Sequence, residues 1–270
     1  MTTLTNDELF AVAERMGVQT LPLVLAVAPG HESIDEWHAA QERAVTRLTD
    51  SGVLDSYGEV ESELALALHA LTQPERELVA RIFVADSDSE RPTRTVRVCV
   101  VRRGEQHAFA VRTGDSYDIA PVWADGSGSA LARPILAALG ACAPAEVASF
   151  SALAQELSER LDAADSASEY ADTLYALGVA DRDATVLGMA FAAPRAFAEI
   201  VAYTHDDGIT TRSSGAVVVY DTDRGRIVAV PGPASDQRIW STITPGTDHR
   251  IAQAISALIE LLPGGRWLPP

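Results

Sequence analysis

The amino-acid sequence predicts an α+β protein with a central antiparallel sheet, flanked by helical bundles, in two quasi-symmetric halves. Capping boxes precede amphipathic stretches in both halves. Apolar residues then alternate with a period of two, as half-buried antiparallel strands require. The order of helices, strands and a closing helix occurs twice, at an offset of about 120 residues. We therefore predict an N-terminal half, 1–142, and a C-terminal half, 143–270, within one compact domain.

The first half begins with helices and continues with strands. Its predicted elements are a helix capped by Thr5 and Glu8, a short buried strand Leu21–Val27, a helix capped by Ser33 and Glu36, a helix ending near Pro74, strands at 77–85, 95–102, 107–113 and 117–123, and a helix from Gly126 to about Gly140. Because the connection at 86–93 is polar, charged and contains proline, we predict an exposed loop there.

The second half repeats this order. Its predicted elements are a helix carrying Phe150, Leu153, Leu157 and Leu161, a helix capped by Ser166 and Glu169, a helix at 181–193, strands at 196–204, 215–221, 226–231 and 238–244, and a last helix at 247–262. When the sequences of the two halves are aligned, Val98 is aligned with Val217 and Val111 with Val230. Strand, turn, cap and helix stripe coincide, which indicates a structural duplication.

Composition and charge exclude several classes of partner. The chain has 270 residues, with 21 Lys and Arg against 38 Asp and Glu, for a net charge of −17. Nucleic acids and anionic membrane surfaces both require a basic surface, so we expect neither as a partner. The longest apolar stretch, Leu21–Ala28, is much shorter than the roughly 20 residues that span a bilayer. The N-terminal residues lack the basic region of a signal peptide, so we expect a soluble, cytoplasmic protein.

No arrangement of residues typical of catalysis, metal binding or cofactor binding stands out. The six histidines lie scattered, without ligand spacing: His31, His38, His69, His107, His205 and His249. Cys99 and Cys142 are predicted to be buried thiols. Gly126–Ser129 is interpreted as a helix cap, and His205–Asp207 as a hairpin turn. We therefore predict a protein that is not an enzyme and has no cofactor or metal; an enzyme of unassigned type is the alternative.

The tryptophans are assigned by their setting. Trp37, Trp123 and Trp240 lie in periodic segments and are predicted to be in the core or half-buried. Trp267 follows Pro263, Gly264 and Gly265 in the terminal segment, and we expect it to fold back onto the body of the protein.

A resemblance to a known family rests mainly on the C-terminal residues. The segment Tyr220–Val230 contains Asp-Thr-Asp-Arg-Gly-Arg between two strands, and the strand Ile239–Pro245 contains a tryptophan before the final helix. Near the N-terminus, Gly17–Leu25 and Ser51–Leu54 agree with the same pattern. Over nearly its whole length the chain resembles the EspG family of ESX (type VII) secretion-associated proteins. The turn residues are also ordinary turn formers, so the motif indicates a fold more than a site.

The resemblance implies a cytosolic chaperone. Such a protein binds the helical tip of a PPE protein within a PE–PPE heterodimer and keeps it soluble for export; another helical ESX substrate is an open alternative. The resemblance places partner contacts on the C-terminal bundle, the central sheet and the loop between the second and third strands. The partner-binding residues predicted here are Asp86, Asp88, Glu90, Arg91, Arg94, Tyr170 and Arg212. A homodimeric scaffold protein remains a further alternative.

Overall fold

A computed structural model describes residues 1–85, 92–233 and 238–269. The strands are β1 Thr2–Thr5, β2 Arg76–Ala85, β3 Pro92–Arg103, β4 Gln106–Thr113, β5 Ser116–Pro121, β6 Phe150–Leu153, β7 Ala196–Asp206, β8 Ile209–Arg212, β9 Val217–Thr222, β10 Gly225–Pro233 and β11 Ile239–Pro245. Within the described ranges they form one antiparallel sheet in the order β1-β5-β4-β3-β2-β7-β9-β10-β11-β6, and β8 pairs with β7.

The helices of the described residues are α1 Asn6–Arg15, α2 Ile34–Asp50, α3 Ser62–Thr72, α4 Gly128–Leu139, α5 Ala154–Asp162, α6 Ala167–Ala176, α7 Asp181–Ala192 and α8 Asp248–Glu260. Those that begin at a side-chain cap predicted from the sequence are α1, α2, α4, α6 and α8. Thr5 and Glu8 form the complete reciprocal capping box, with the Thr5 amide donating to the Glu8 carboxylate at 2.8 Å. Ser127 and Thr247 each accept from an amide three residues on, at equivalent ends of α4 and α8.

The predicted strand Leu21–Val27 is wrong. Leu23–Leu25 forms a single turn of 3₁₀ helix, and Ala26 ends it in the left-handed region with φ of 48°. Pro22 lacks the amide that a strand ladder needs, so an apolar run beginning there does not extend a sheet. The first strand is instead β1, in which only Leu4 is buried. Such a short edge strand carries almost no hydrophobic periodicity, and the sequence pattern missed it.

Two further expectations are wrong, and one strand was missed. Phe150 and Leu153 belong to β6 and not to the helix that follows, because residues before α5 pair with β11. Strand β8, four residues long with no buried member, was not predicted. Trp123 lies outside the core with 76% of its surface exposed, since β5 ends at Pro121. Trp267, in contrast, folds back as predicted and is only 2% exposed.

The duplication predicted from the sequence is confirmed in the hydrogen-bonding register. At the centre of the sheet Ala80 pairs with Ile200, its own counterpart 120 positions later. Val98 pairs with Ala80, and Val217 pairs with Ile200 in the same way. The correspondence reaches the sheet edges, where the Thr3 hydroxyl donates to the Asp118 carboxylate at 2.6 Å and the Ser151 and Thr242 hydroxyls lie 2.8 Å apart. A pseudo-two-fold axis therefore passes between β2 and β7.

Helices cover the two faces of the sheet unequally. Helices α4 and α8 pack together on one face, over a buried cluster that includes Leu78, Ile200 and Ile255. On the other face α1–α3 cover β3–β5 as an N-terminal bundle, and α5–α7 cover the far half as a C-terminal bundle. Since the bundles lie on either side of the pseudo-two-fold axis, the outward residues of β2 and β7 remain between them. That strip positions the candidate site.

Each half also covers part of the other. The segment after α4 lies on the second half, where the Arg226 guanidinium donates to the Gly140 carbonyl at 2.8 Å. The segment after α8 lies on the first half, where Trp267 stacks on His107 with ring centroids 6.4 Å apart. The Arg76 side chain holds this segment through the Arg266 and Pro263 carbonyls.

We propose that the two halves form one folding unit, with the boundary at residues 142 and 143. Separately expressed 1–142 would expose the whole edge of β2, including apolar Ile82, and would lack the segment that contains Trp267. We expect each isolated half to be unfolded or aggregated, whereas the full chain unfolds in a single urea transition. Circular dichroism and size-exclusion chromatography check this. A native-like, monomeric 1–142 fragment would contradict it.

Stability should fall in mild acid because of His107. Burial lowers the pKa of His107; the hydrogen bond to the Glu105 carbonyl opposes this shift in part, and the Arg102 charge adds a smaller lowering. The folded protein thus keeps His107 neutral, while the unfolded chain takes up a proton near the ordinary pKa of 6.5. The contribution is complete above about pH 6.5 and is lost as pH falls from there toward the lowered folded-state pKa.

The His107→Gln variant tests this linkage. Urea unfolding at pH 7.5 and at pH 5.5 should show a smaller drop in the free energy of unfolding for the variant than for the parent chain. Other groups titrate in both proteins, so the difference isolates His107. An equal drop in the free energy of unfolding for both proteins would show that His107 does not contribute to the pH dependence of stability.

Candidate partner-binding surface

A groove of about 640 Å³ lies on the sheet face between the two bundles, and we call it the central groove. Its floor is the outward side of β2 and β7, one wall is the turn around Leu23, and the other wall is β8. The lining side chains that the following argument uses are Leu23, Glu77, Arg81, Glu199, His205 and Arg212. The Leu23 side chain is 95% exposed at the wall of this groove, and a large apolar side chain exposed beside a groove is typical of a binding surface.

A charged cluster crosses the floor of the central groove. Arg81 and Glu199 are directly opposite each other on β2 and β7, and their side chains form a salt bridge. The Arg212 guanidinium on β8 approaches the other oxygen of Glu199 at 3.3 Å. Both arginine side chains are about half exposed, at 48% and 52%. Pairs this accessible contribute little to stability, so their charges are available to orient a partner.

Glu77 lies deeper at one end of the groove. Its carboxylate is 2.9 Å from His205 Nε2, and it accepts a hydrogen bond from the Cys99 thiol at 3.5 Å. Burial and the Glu77 charge raise the pKa of Cys99 well above its ordinary value, so this thiol stays protonated. His205 and Cys99 thus satisfy the buried Glu77 carboxylate, and the three side chains provide no activated nucleophile. Within the described ranges, no cluster of three or more His, Cys, Asp or Glu residues is arranged to hold a metal ion.

A row of aromatic rings leads from the floor of the central groove to the C-terminal bundle. Phe83 on β2 stacks on Phe197 on β7, with centroids 4.6 Å apart. Phe197 is followed by Tyr220 at 6.4 Å, Phe191 at 5.0 Å and Tyr170 at 6.3 Å. Burial raises the pKa of Tyr220, which is the central ring of the row. The half-buried rings form a continuous apolar strip between sheet and bundle.

The structure brings together only part of the predicted set of partner-binding residues. Arg212 lines the central groove and Tyr170 ends the aromatic row. Arg94 pairs with Val84 and lines a groove on the opposite face of the sheet, beside α4. The remaining predicted residues lie outside the described residues: Asp86, Asp88, Glu90 and Arg91.

Sequence reasoning missed several residues of the surface. The sequence pattern predicts only that Arg81, Phe83 and Phe197 lie in strands, because alternation shows which residues share a face but not whether helices cover it. Leu23 was placed in a buried strand. Its neighbour Pro22 gave the one available signal that the run turns instead of extending.

The turn at His205–Asp207 is confirmed as a hairpin. Asp206 pairs with Ile209 across two residues, Asp207 and Gly208, which have positive φ of 45° and 79°. Two such residues define a type I′ turn, which matches the twist of antiparallel strands. His205 therefore reaches Glu77 on the neighbouring strand, and no contact joins it to the two aspartates within the part of the chain that the structure describes.

The Asp-Thr-Asp-Arg-Gly-Arg segment is structural. Asp221 and Arg226 face each other on β9 and β10 and form a buried, bidentate ion pair, with N–O distances of 2.5 and 2.7 Å. The hydrogen bonds to Asp221 raise the pKa of Arg226. A Cβ added to Gly246 would lie 2.3 Å from the Arg226 side chain, so only glycine fits beside it. The motif joins the turn to the start of α8.

The chain is similar to proteins of one family. The family model described as EspG family matches residues 5–257. The ESX-1 secretion-associated protein EspG1 of Mycobacterium tuberculosis is 31% identical, over 98% of this chain and 88% of the relative. The ESX-3 secretion-associated protein EspG3 of Mycolicibacterium smegmatis is 30% identical over the same shares.

A solved structure shares the fold. It is the structure of the Mycobacterium tuberculosis type VII secretion system chaperone EspG5 in complex with a PE25-PPE41 dimer. The match has a TM-score of 0.79 and covers 98% of each chain at 20% identity.

Removing Asp221 should destabilise the fold. The Asp221→Ala variant leaves the Arg226 charge buried without its partner, and we expect a loss of about 3–5 kcal/mol in the free energy of unfolding. Asp223→Ala is the matched control, because Asp223 is 86% exposed and should change stability by no more than about 1 kcal/mol. Urea denaturation measures both. Equal midpoints for the two variants would show that the buried pair is not a structural requirement.

Proposed function

Because the chain belongs to the EspG family, we propose that it is a chaperone of a type VII secretion system that binds a PE–PPE heterodimer through the helical tip of the PPE protein. The observation that carries this proposal is the central groove, whose floor is formed by two strands in the middle of a large sheet. Val79 and Val201 on that floor pack against the N-terminal cluster, whereas the side chains of Arg81 and Glu199 remain 48% and 29% exposed. A globular protein normally covers such strands. Their exposure is consistent with a surface that a partner covers.

The side chains of the groove suit a helical tip. Such a tip exposes apolar residues; the central groove offers Leu23 at its wall, and the stacked rings of Phe83 and Phe197 lie beyond Arg81 and Glu199 on the same two strands. Arg81 and Arg212 provide half-exposed charges that fix the orientation of the partner. A stable complex buries about 1,200–2,000 Å² in total, which requires the groove and the adjoining C-terminal bundle together.

We propose binding and not catalysis for this surface. The Glu77 carboxylate is held by His205 and Cys99, and the raised pKa of Cys99 makes that thiol a poor nucleophile. We also propose that the chaperone acts in the cytoplasm, where an unexported client would otherwise associate through its apolar tip. None of the described helices combines the length and hydropathy needed to cross a bilayer.

Co-expression with the PE–PPE pair encoded nearest to the gene tests the proposal. We expect a ternary complex to co-purify through an affinity tag on the chaperone. If the genome lacks such pairs, the helical ESX substrates encoded nearby take their place. Failure to recover a complex with every such client would overturn the proposed function.

The Leu23→Asp variant tests whether the central groove is the binding surface. Leu23 is 95% exposed, so its substitution should change stability by no more than about 0.5 kcal/mol. A charge there should nevertheless weaken client binding about tenfold or more, if Leu23 enters an apolar interface. Tyr57→Asp is the matched control, because Tyr57 is 89% exposed and does not line the groove.

Isothermal titration with purified PE–PPE dimer measures both variants. Loss of affinity in Leu23→Asp with parental affinity in Tyr57→Asp supports the groove. Parental affinity in both variants would place the client elsewhere on the protein.

A further inference from the structure

A second groove, which we call the α4 groove, lies on the opposite face of the sheet from the central groove. It has a volume of about 530 Å³ and runs between α4 and strands β3–β5. Its apolar lining includes Val96, Phe109, Val111, Pro134 and Ala138. Phe109 and Val111 are only half-buried, because α4 does not reach far enough across the sheet to cover them. The chaperone function proposed above makes no use of this groove.

The duplicated half shows what the α4 groove lacks. The equivalent groove, between α8 and strands β10 and β11, is smaller at about 390 Å³ and has the Trp240 indole in its lining. Val111 corresponds to Val230, and their partners across the sheet, Asp118 and Thr242, also correspond. The position of Trp240 therefore corresponds to Ser116 in the first half. A large aromatic side chain in one half is thus replaced by a small polar one in the other.

The charges around the α4 groove favour an acidic occupant. The Arg94 side chain is exposed, and its guanidinium forms no hydrogen bond or ion pair with any described residue. Arg133 uses one nitrogen to donate to the Trp123 carbonyl, 3.1 Å away. The carboxylate in the lining, that of Asp118, already accepts from Thr3. In a chain with a net charge of −17, the two guanidinium groups form a local basic pair beside an apolar surface.

We propose that the α4 groove docks an acidic, amphipathic segment of a second partner protein. An apolar side chain of that segment lies over Phe109 and Val111, in the groove that lacks a counterpart of the Trp240 side chain. Its carboxylates pair with Arg94 and Arg133. Trp123, 76% exposed and anchored by Arg133, extends the contact surface with a residue type that often dominates interfaces. Since the two grooves lie on opposite faces, this partner and the client bind together.

The probe is a synthetic helical peptide that carries Phe and Leu on one face and Glu elsewhere, labelled with a neutral rhodamine dye. A matched peptide has Lys at every Glu position. Fluorescence anisotropy with the full-length chain should show saturable binding of the Glu peptide at low salt and at least tenfold weaker specific binding of the Lys peptide to the α4 groove.

Two variants assign the binding to the α4 groove. The double variant Arg94→Glu and Arg133→Glu should bind the Glu peptide at least tenfold more weakly than the parent chain does. Its matched control is Arg43→Glu with Arg182→Glu, two exposed arginines outside the α4 groove that give the same net charge. Ala137→Trp, at an exposed helix position in the lining, should block the groove without adding charge.

Several outcomes would overturn the proposal. One is the absence of saturable binding of the Glu peptide. Another is an equal loss of affinity in the test and control double variants, which would show that net charge alone explains the binding. Undiminished binding to Ala137→Trp would place the peptide elsewhere. Light scattering that shows a dimer in the parent chain and a monomer in Ala137→Trp would identify a second copy as the occupant. Loss of client binding in Leu23→Asp leaves all these results unaffected, so the two proposals fail separately.

Discussion

The antiparallel pairing of β2 with β7 is the constraint on which the rest of the structure depends. This pairing joins two halves that each bring half a sheet, and its register places Ala80 opposite its own counterpart Ile200. Because the axis of the duplication passes through that pair, helices that lie to one side of the sheet in the first half recur on the same face in the second. The two bundles are thereby kept apart, and α4 meets α8 on the opposite face. The exposed strip of the central strands follows directly from this geometry.

The two halves carry different polar residues at the equivalent strand pair on which each is covered by the other. Asp221 and Arg226 form a buried ion pair in the second half. The corresponding positions in the first half hold Arg102 and His107, which are also opposite each other, and the Trp267 ring stacks on His107. Arg102 turns to Glu75, with an N–O distance of 2.7 Å, and the burial of His107 lowers its pKa. The equivalent strand pair is thus stabilised by a buried ion pair in the second half and contains a buried histidine of lowered pKa in the first half.

Most of the fold could be predicted from sequence, because its signals are local. Side-chain caps such as Thr5 and Thr247 mark the helix starts, and alternating residues mark every long strand. The short edge strands β1 and β6 were missed because four residues carry too little periodicity to separate from a helix start. The candidate binding site is harder to predict from the sequence. Whether Phe83 faces a helix or a groove depends on where distant bundles pack, and no local pattern contains that information.

The pleat of β2 explains how a binding surface and a core coexist on one strand. Leu78, Ala80 and Ile82 point toward α4 and α8 and are almost completely buried. The residues between them point the other way and form the floor of the central groove or extend it, with Arg81 and Phe83 among them. Because successive side chains occupy opposite faces, the groove side can change its charge or shape without altering the packing behind it. The same separation holds on β3, where Arg97 faces the central groove and Val96 faces the α4 groove. A single pair of strand positions therefore contributes to two surfaces that can vary independently, and specificity for different partners can diverge while the sheet itself stays constant.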